Sequence, residues 1–94
     1  MGMRKLLALH YELDKDAYEQ RMPYRPAHLA LVERWQEQGK VVIAGPLGDP
    51  PSRSLIAFDV ADQAEVEEFV AADPYVSEGI VSSYRIEPWS VVDS

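Results

Sequence analysis

Three short stretches of the chain are apolar at consecutive positions: Leu6-Leu7-Ala8-Leu9, Val41-Val42-Ile43-Ala44 and Leu55-Ile56-Ala57-Phe58. Apolar runs of this length bounded by turn residues predict strands. The first lies in a strand expected over residues 4–11, the second in one from Lys40 to Pro46, and the third in one from Ser54 to Val60. A fourth strand is expected from Gly79 to Glu87, ended by Pro88. Between the first two strands the period changes. His28, Leu31, Val32 and Trp35 fall on one helical face and predict a helix from Pro26 to Gln38. Pro26 suits the first turn, where its missing N–H costs nothing, and Gly39 suits the C-terminal cap. Between the last two strands, Val66, Phe69 and Val70 mark the buried stripe of a second helix. Asp62 opens it, with Glu65 three residues on as a capping box, and Asp73-Pro74 stops it. Glu12 to Met22 reads as a polar connection in which Asp16 and Glu19 cap one short helical turn. Gly45 to Pro51 reads as a loop, because its glycines and prolines favour turns over a ladder.

The order β-α-β-β-α-β, with right-handed crossovers, predicts an α+β, ferredoxin-like fold: a four-stranded antiparallel sheet with two helices on one face. A sheet covered on one side normally alternates apolar and polar residues. These strands are apolar on both faces, and two helices cover only one. A second copy packed sheet to sheet is the simplest cover for the other, so a homodimer is expected. Trp35 is expected to pack against the sheet and Trp89 to lie over the dimer seam.

Composition narrows the function. The 94 residues include 9 Lys plus Arg against 16 Asp plus Glu, a formal charge of −7. The bases are scattered along the chain, so nucleic acid and anionic membrane surfaces are poor partners. There is no Cys, which excludes disulfides, thiolate metal sites and cysteine nucleophiles, and two His do not make a metal cage. No Gly-x-Gly-x-x-Gly or P-loop offers a nucleotide cofactor a seat, and Ser54, Ser82 and Ser83 lack a nucleophile-elbow context. Arg4-Lys5 followed by four apolar residues is too short for a secretory signal, and Leu6 stands where a myristoylation motif needs Ser or Thr. A cytoplasmic address is the expectation.

His28 lies on the apolar stripe of the first helix, in its first turn, where a polar ring needs a partner. Taken alone, its spacing favours a core histidine bonded to a backbone carbonyl, and Asp73 taken alone is a turn former. Together they say more. In this topology the start of the first helix and the end of the second share one end of the helix layer. A His–Asp pair there is a general acid–base unit in which the carboxylate fixes the tautomer and the other ring nitrogen handles the proton. Arg25, three residues before His28, either holds an anionic substrate or is a surface arginine paired with nearby acids. Gly45-Pro46 either lets a ligand approach the backbone or is plain hairpin. His10 and Tyr11 point to opposite faces of the first strand, and the pattern does not say which faces a ligand.

Arg25-Pro26-x-His28-Leu29, Gly39-Lys40 leading into Ala44-Gly45-Pro46, and Ala72-Asp73-Pro74-Tyr75 with Gly79 resemble the YCII-related (YciI-like) family over roughly Lys5 to Trp89. The resemblance implies one such domain over residues 1–94, forming a dimeric α+β barrel, and an active site on a His and an Asp that map to His28 and Asp73. Arg25, Gly45, Pro46 and Tyr75 match neighbouring motif positions and are expected to contact substrate. One activity characterised in the family removes HCl from a chlorinated hydroquinone, and related barrels include muconolactone isomerases and cofactor-free monooxygenases. The loop Leu47 to Arg53 is shorter than the Gly-rich insertion of many relatives, so substrate does not transfer. The expected function is a cofactor-independent lyase, isomerase or dehydrochlorinase acting on a small cyclic or aromatic compound. His28 would move the proton, Asp73 would orient the ring, and Arg25 would hold an oxyanion or carboxylate. The alternative is a non-catalytic ligand-binding or pathway accessory protein, which would show affinity without conversion. A sensor fused to a DNA reader is disfavoured, since no helix-turn-helix segment occurs.

Overall fold

The computed structural model describes residues 2–93. The elements run β1 (Gly2–Leu13), α1 (Ala17–Gln20), α2 (Arg25–Glu37), β2 (Val41–Leu47), β3 (Arg53–Phe58), α3 (Gln63–Ala72), α4 (Pro74–Ser77) and β4 (Val81–Asp93). The strands form one sheet in the order β2-β3-β1-β4, and every neighbouring pair is antiparallel. This is the expected ferredoxin-like α+β arrangement, with the expected short turn in the first connection present as α1 and a further turn, α4, added. No helix among the described residues is long and apolar enough to cross a membrane.

Each main helix is bounded by its own sequence. α2 starts one residue earlier than expected, so Pro26 sits in its first turn as the second helical residue. It ends in a Schellman motif: Gly39 N–H donates to Gln36 O at 2.9 Å and Lys40 N–H to Trp35 O at 2.9 Å. That geometry requires the left-handed backbone of Gly39, φ 75°. At the head of α3 the Asp62 carboxylate accepts from Ala64 N–H at 2.9 Å, so the cap bond runs to the second helical residue rather than to Glu65. Asp16 precedes α1 without a side-chain cap bond, so that turn rests on backbone bonds such as Gln20 N–H to Asp16 O.

β2 reaches its expected end within a residue, through positions that also read as loop, and β4 overruns its own, both for one reason. β2 continues through Gly45 and Pro46, and β4 continues past Pro88 to Asp93. Pro46 lies opposite Ser54 and Pro88 opposite Leu7. β2 and β4 are the edge strands, and an edge tolerates proline because its outward row of N–H groups has no ladder partner to lose. At the other end of β4, Gly79 takes a left-handed turn, φ 77°, and pairing begins at Val81. β3 stops at Phe58, short of Val60.

The sheet's faces divide as strand alternation requires. Leu9 and Tyr11 of β1 and Ile56 and Phe58 of β3 join Leu31 and Val32 of α2 and Val66, Phe69 and Val70 of α3 in one buried core. Trp35 meets Phe58 and Phe69 edge to face, with centroids 5.8 and 5.3 Å away, and so packs on the sheet as expected. The opposite face carries Leu6, Ala8 and His10 of β1, Leu55 and Ala57 of β3, Ile43 of β2, and Glu87 and Trp89 of β4, as the register fixes. No helix contributes to it; Ile43 is 64% exposed and Trp89 37%.

A Cβ added at Gly39 would meet nothing within 4 Å, so substitution there costs torsion and not space. Gly39→Ala is expected to lower stability by about 1–2 kcal/mol, the cost of a left-handed L-residue. Urea denaturation of the two proteins measures it, as a midpoint shift with an unchanged slope.

Candidate functional site

Asp73 occupies the joint between α3 and α4, and its local chemistry places it there. The residue before a proline leaves the helical region, and Asp73 has ψ 117°. Pro74 then opens α4, and the Asp73 carboxylate caps it by accepting from Tyr75 N–H at 3.0 Å. The same carboxylate reaches across to the head of α2. His28 Nδ1 lies 2.9 Å from its Oδ1 and 3.1 Å from its Oδ2. A third donor comes from the sheet, where Tyr11 Oη–H donates to Oδ2 at 2.8 Å. Asp73 is fully buried and His28 is 8% exposed. Both carboxylate oxygens accept from other donors, so Nδ1 is the ring nitrogen that carries hydrogen and donates. That leaves Nε2, which makes no hydrogen bond among the described residues, with its lone pair.

The ring is held from its face as well. Tyr75 stacks on His28 with centroids 3.9 Å apart and planes 4° from parallel. Beside the ring lies a cavity of about 280 Å³. His28, Tyr75, Arg25, Gly45 and Pro46 all line it. Asp73 stands behind His28, out of the lining. The apolar wall comes from Leu13, Leu29, Val32 and Ile80, and a second arginine, Arg21, completes the polar part. Gly45 is not required by crowding, since a Cβ there would meet nothing within 4 Å. Its carbonyl accepts from Ser54 Oγ at 3.1 Å, and Ser82 Oγ donates to Glu12 O, so these two hydroxyls serve the backbone.

Tyr11 and Arg21 are the participants that sequence reasoning left out. Tyr11 shares a face with Leu7 and Leu9, but Leu6 and Ala8 are equally apolar, so alternation did not say which face the helices cover. Arg21 follows α1, where the only signal was a weak turn. His10, on the other face of β1, stands 2.6 Å from Glu87 as an ion-pair contact that lacks hydrogen-bond alignment. It lies away from the His28 cavity. Among the described residues no group of three or more His, Cys, Asp or Glu is arranged to hold a metal ion.

The phenols respond to these surroundings. Burial, then the negative charge of Asp73 and the hydrogen bond to it, push the Tyr11 hydroxyl far above its ordinary range. It is therefore a standing donor to the carboxylate. Burial also raises Tyr75, against the opposing pull of the Arg21 and Arg25 charges.

A four-stranded antiparallel sheet with two helices on one face, and a buried His–Asp pair beside a small cavity, define a ferredoxin-like α+β protein with a histidine–carboxylate contact at the helix ends. The chain belongs to the YCII-related domain family, whose profile matches residues 5–90. Protein YciI of Escherichia coli and that of Shigella flexneri are each 30% identical to it over 97 residues, covering 93% of this chain and 99% of theirs. Among solved structures it resembles 5-chloro-2-hydroxyhydroquinone dehydrochlorinase from Burkholderia phenoliruptrix, in complex with 2,5-dihydroxybenzoquinone. That likeness has a TM-score of 0.75 at 23% identity over 89% of this chain and 92% of that one. A protein of unknown function from Nitrosomonas europaea follows at TM-score 0.58 and 16% identity, covering 98% of this chain and 92% of its own. An antibiotic biosynthesis monooxygenase follows at 0.56 and 12%, covering 95% and 99%. At these identities the likenesses show the fold.

Tyr11→Phe removes a hydrogen bond to a buried charged group and is expected to cost about 1.5–3 kcal/mol near neutral pH. Because folding raises the tyrosine's pKa, its contribution is complete below the ordinary tyrosine range of about 10 and declines as pH rises above it. The stability gap between wild type and Tyr11→Phe therefore narrows above about pH 10. Denaturation curves recorded at neutral and alkaline pH measure both effects.

Proposed function

We propose that this protein is a small cofactor-independent enzyme of lyase or isomerase type, a dehydrochlorinase among the options, acting on a small cyclic or aromatic substrate. The carrying observation is the His28–Asp73 contact beside a cavity. Nε2 accepts a proton from a substrate O–H or C–H. In a dehydrochlorination the imidazolium returns that proton to the ring carbon bearing the leaving group while the oxygen's electron pair becomes a C=O bond. Loss of a second hydroxyl proton to Nε2 then forms the quinone as the leaving group departs with its bonding pair. In an isomerisation the proton returns at another atom instead. Asp73 keeps the imidazole in the tautomer that presents Nε2 as base, and steadies the imidazolium once the proton is taken. Tyr11 and Tyr75 hold that pair in place, and Arg25 sits where negative charge on the substrate is to be balanced. Family membership supports the reading, as does the fold shared with an enzyme that removes HCl from a chlorinated hydroquinone.

The test takes 5-chloro-2-hydroxyhydroquinone as the substrate and free chloride as the readout. Wild type is expected to release chloride, and His28→Asn to lose about 100-fold or more of the rate while keeping its far-UV spectrum and melting transition. A folded His28→Asn variant that works at the wild-type rate overturns the reading. Tight binding of 2,5-dihydroxybenzoquinone without turnover of any cyclic acid or phenol favours a ligand-binding protein instead.

We further infer that the helix-free face of the sheet meets the same face of a second copy. That face sets exposed Ile43 and Trp89 and half-buried Leu55 around buried Leu6, Ala8 and Ala57, with His10, Glu87 and Arg85 as a linked charged cluster on it. A two-fold operator brings such a patch onto itself, as a symmetric homodimer requires. Light scattering at micromolar concentration is expected to give a dimer mass. Ile43→Glu, at a position already 64% exposed, should shift it toward monomer without unfolding the chain. A wild-type monomer mass removes the inference.

A further inference from the structure

Arg21 and Arg25 come from different elements and meet at one opening. Arg21 caps the C-terminus of α1 and Arg25 is the first residue of α2. The turn between them is closed by Tyr24 N–H donating to Arg21 O at 2.9 Å, which sets both side chains on the wall of the His28 cavity. In a chain with 16 acidic residues, neither guanidinium lies within ion-pair distance of a carboxylate among the described residues. Arg4, Lys40 and Arg85 each have an acidic partner. Arg34 and Arg53 also lack an acidic partner among the described residues, but both stand exposed in water. Arg21 differs from them: it is half-buried, with its guanidinium carbon 4.8 Å from the centre of the Tyr18 ring. Its Nε–H is shielded from solvent and has no acceptor among the described residues. Arg21 is therefore placed by stacking, with its hydrogen-bonding capacity unspent.

We propose that Arg21 and Arg25 form a two-guanidinium clamp for a planar oxyanion, either a carboxylate or the ionised hydroxyl–carbonyl edge of a hydroxyquinone, on a ligand whose ring enters the cavity toward His28. A side-on oxyanion takes Nε–H and one Nη–H of a guanidinium together, which satisfies the idle Nε–H of Arg21 after a small rotation. Arg25, exposed at the rim, supplies the second charge. Leu13, Val32 and Ile80 supply the apolar surface for the ring. The cavity of about 280 Å³ suits a single six-membered ring. The site thus selects a small aromatic or quinonoid anion over its neutral counterpart. This rests on the acid–base reading for what happens after binding, but the clamp itself is defined by affinity.

Calorimetric titration of the intact protein tests it with three probes: benzoate, its neutral analogue benzamide, and 2,5-dihydroxybenzoquinone. Benzoate or the quinone, or both, is expected to bind at least about tenfold more tightly than benzamide, and which of them does so identifies the source of the oxyanion. Arg21→Gln should weaken the bound anion by about tenfold or more, and Arg21→Lys should recover only part of the loss, because an ammonium lacks the side-on fork. Should Arg21→Gln fail to fold, Arg25→Gln at the exposed rim makes the same measurement. Benzamide binding as well as the anions overturns the clamp, as does the absence of binding by all three probes. Wild-type affinity in a folded Arg21→Gln also overturns it, and leaves intact the acid–base reading, which His28→Asn tests through turnover. Anion selectivity lost in Arg21→Gln, beside chloride release unchanged in His28→Asn, confirms the clamp and removes the acid–base reading.

Discussion

A carboxylate removed from water is costly unless other donors replace the ones it gave up, and the Asp73 side chain has three. They come from three parts of the chain: the head of α2 through His28, the middle of β1 through Tyr11, and the start of α4 through the backbone of Tyr75. Each needs the other two, because removing any one leaves a fully buried anion short of a donor. The carboxylate thereby ties the helix layer to the sheet at one end of the molecule. It also fixes the plane and tautomer of an imidazole whose far nitrogen makes no bond among the described residues. Fold and candidate chemistry depend on the same few contacts.

Most of the architecture was legible in the hydrophobic pattern. The helical spacing of His28, Leu31, Val32 and Trp35 placed α2 within a residue at each end, and the Asp62 cap and the Asp73-Pro74 stop framed α3. What local sequence did not carry was position within the sheet. Pro46 and Pro88 break a ladder only if their strands are central. That β2 and β4 are edges is a property of the assembled topology, so both strands run on through residues that read as terminators. The turn α4 was hidden for a related reason. Pro74 ends one helix by its effect on Asp73 and starts the next by its own fixed φ, and only the first of these was read from the sequence.

The candidate site divides in the same way. His28 and Asp73 were legible as a pair once the topology was drawn, because each stood out against its surroundings: a polar ring in an apolar stripe, and a carboxylate before a proline. Tyr11 did not stand out. A tyrosine in an apolar strand is ordinary, and its hydroxyl gains meaning only from an aspartate 62 residues away. Arg21 was quieter still, since nothing in a polar connection marks one arginine as turned toward a cavity. Residues that act by being unusual in their local context are visible in a single sequence, whereas residues that act by long-range contact are not.

The alternative of a merely structural histidine can be weighed against the geometry. A core histidine needs one acceptor for its N–H, and a backbone carbonyl supplies it without burying any charge. Here the acceptor is a fully buried carboxylate, which must itself be stabilised by a tyrosine hydroxyl and a helix-capping N–H. That is a demanding arrangement for holding a ring still, particularly as Tyr75 already stacks on its face. Its distinctive consequence is orientational: the carboxylate takes the Nδ1 hydrogen and turns the Nε2 lone pair away from itself. On the proposed acid–base reading, the hollow lined by His28 receives the substrate that brings the proton, and the two arginines in its wall balance the charge left on it. A structural role calls for neither.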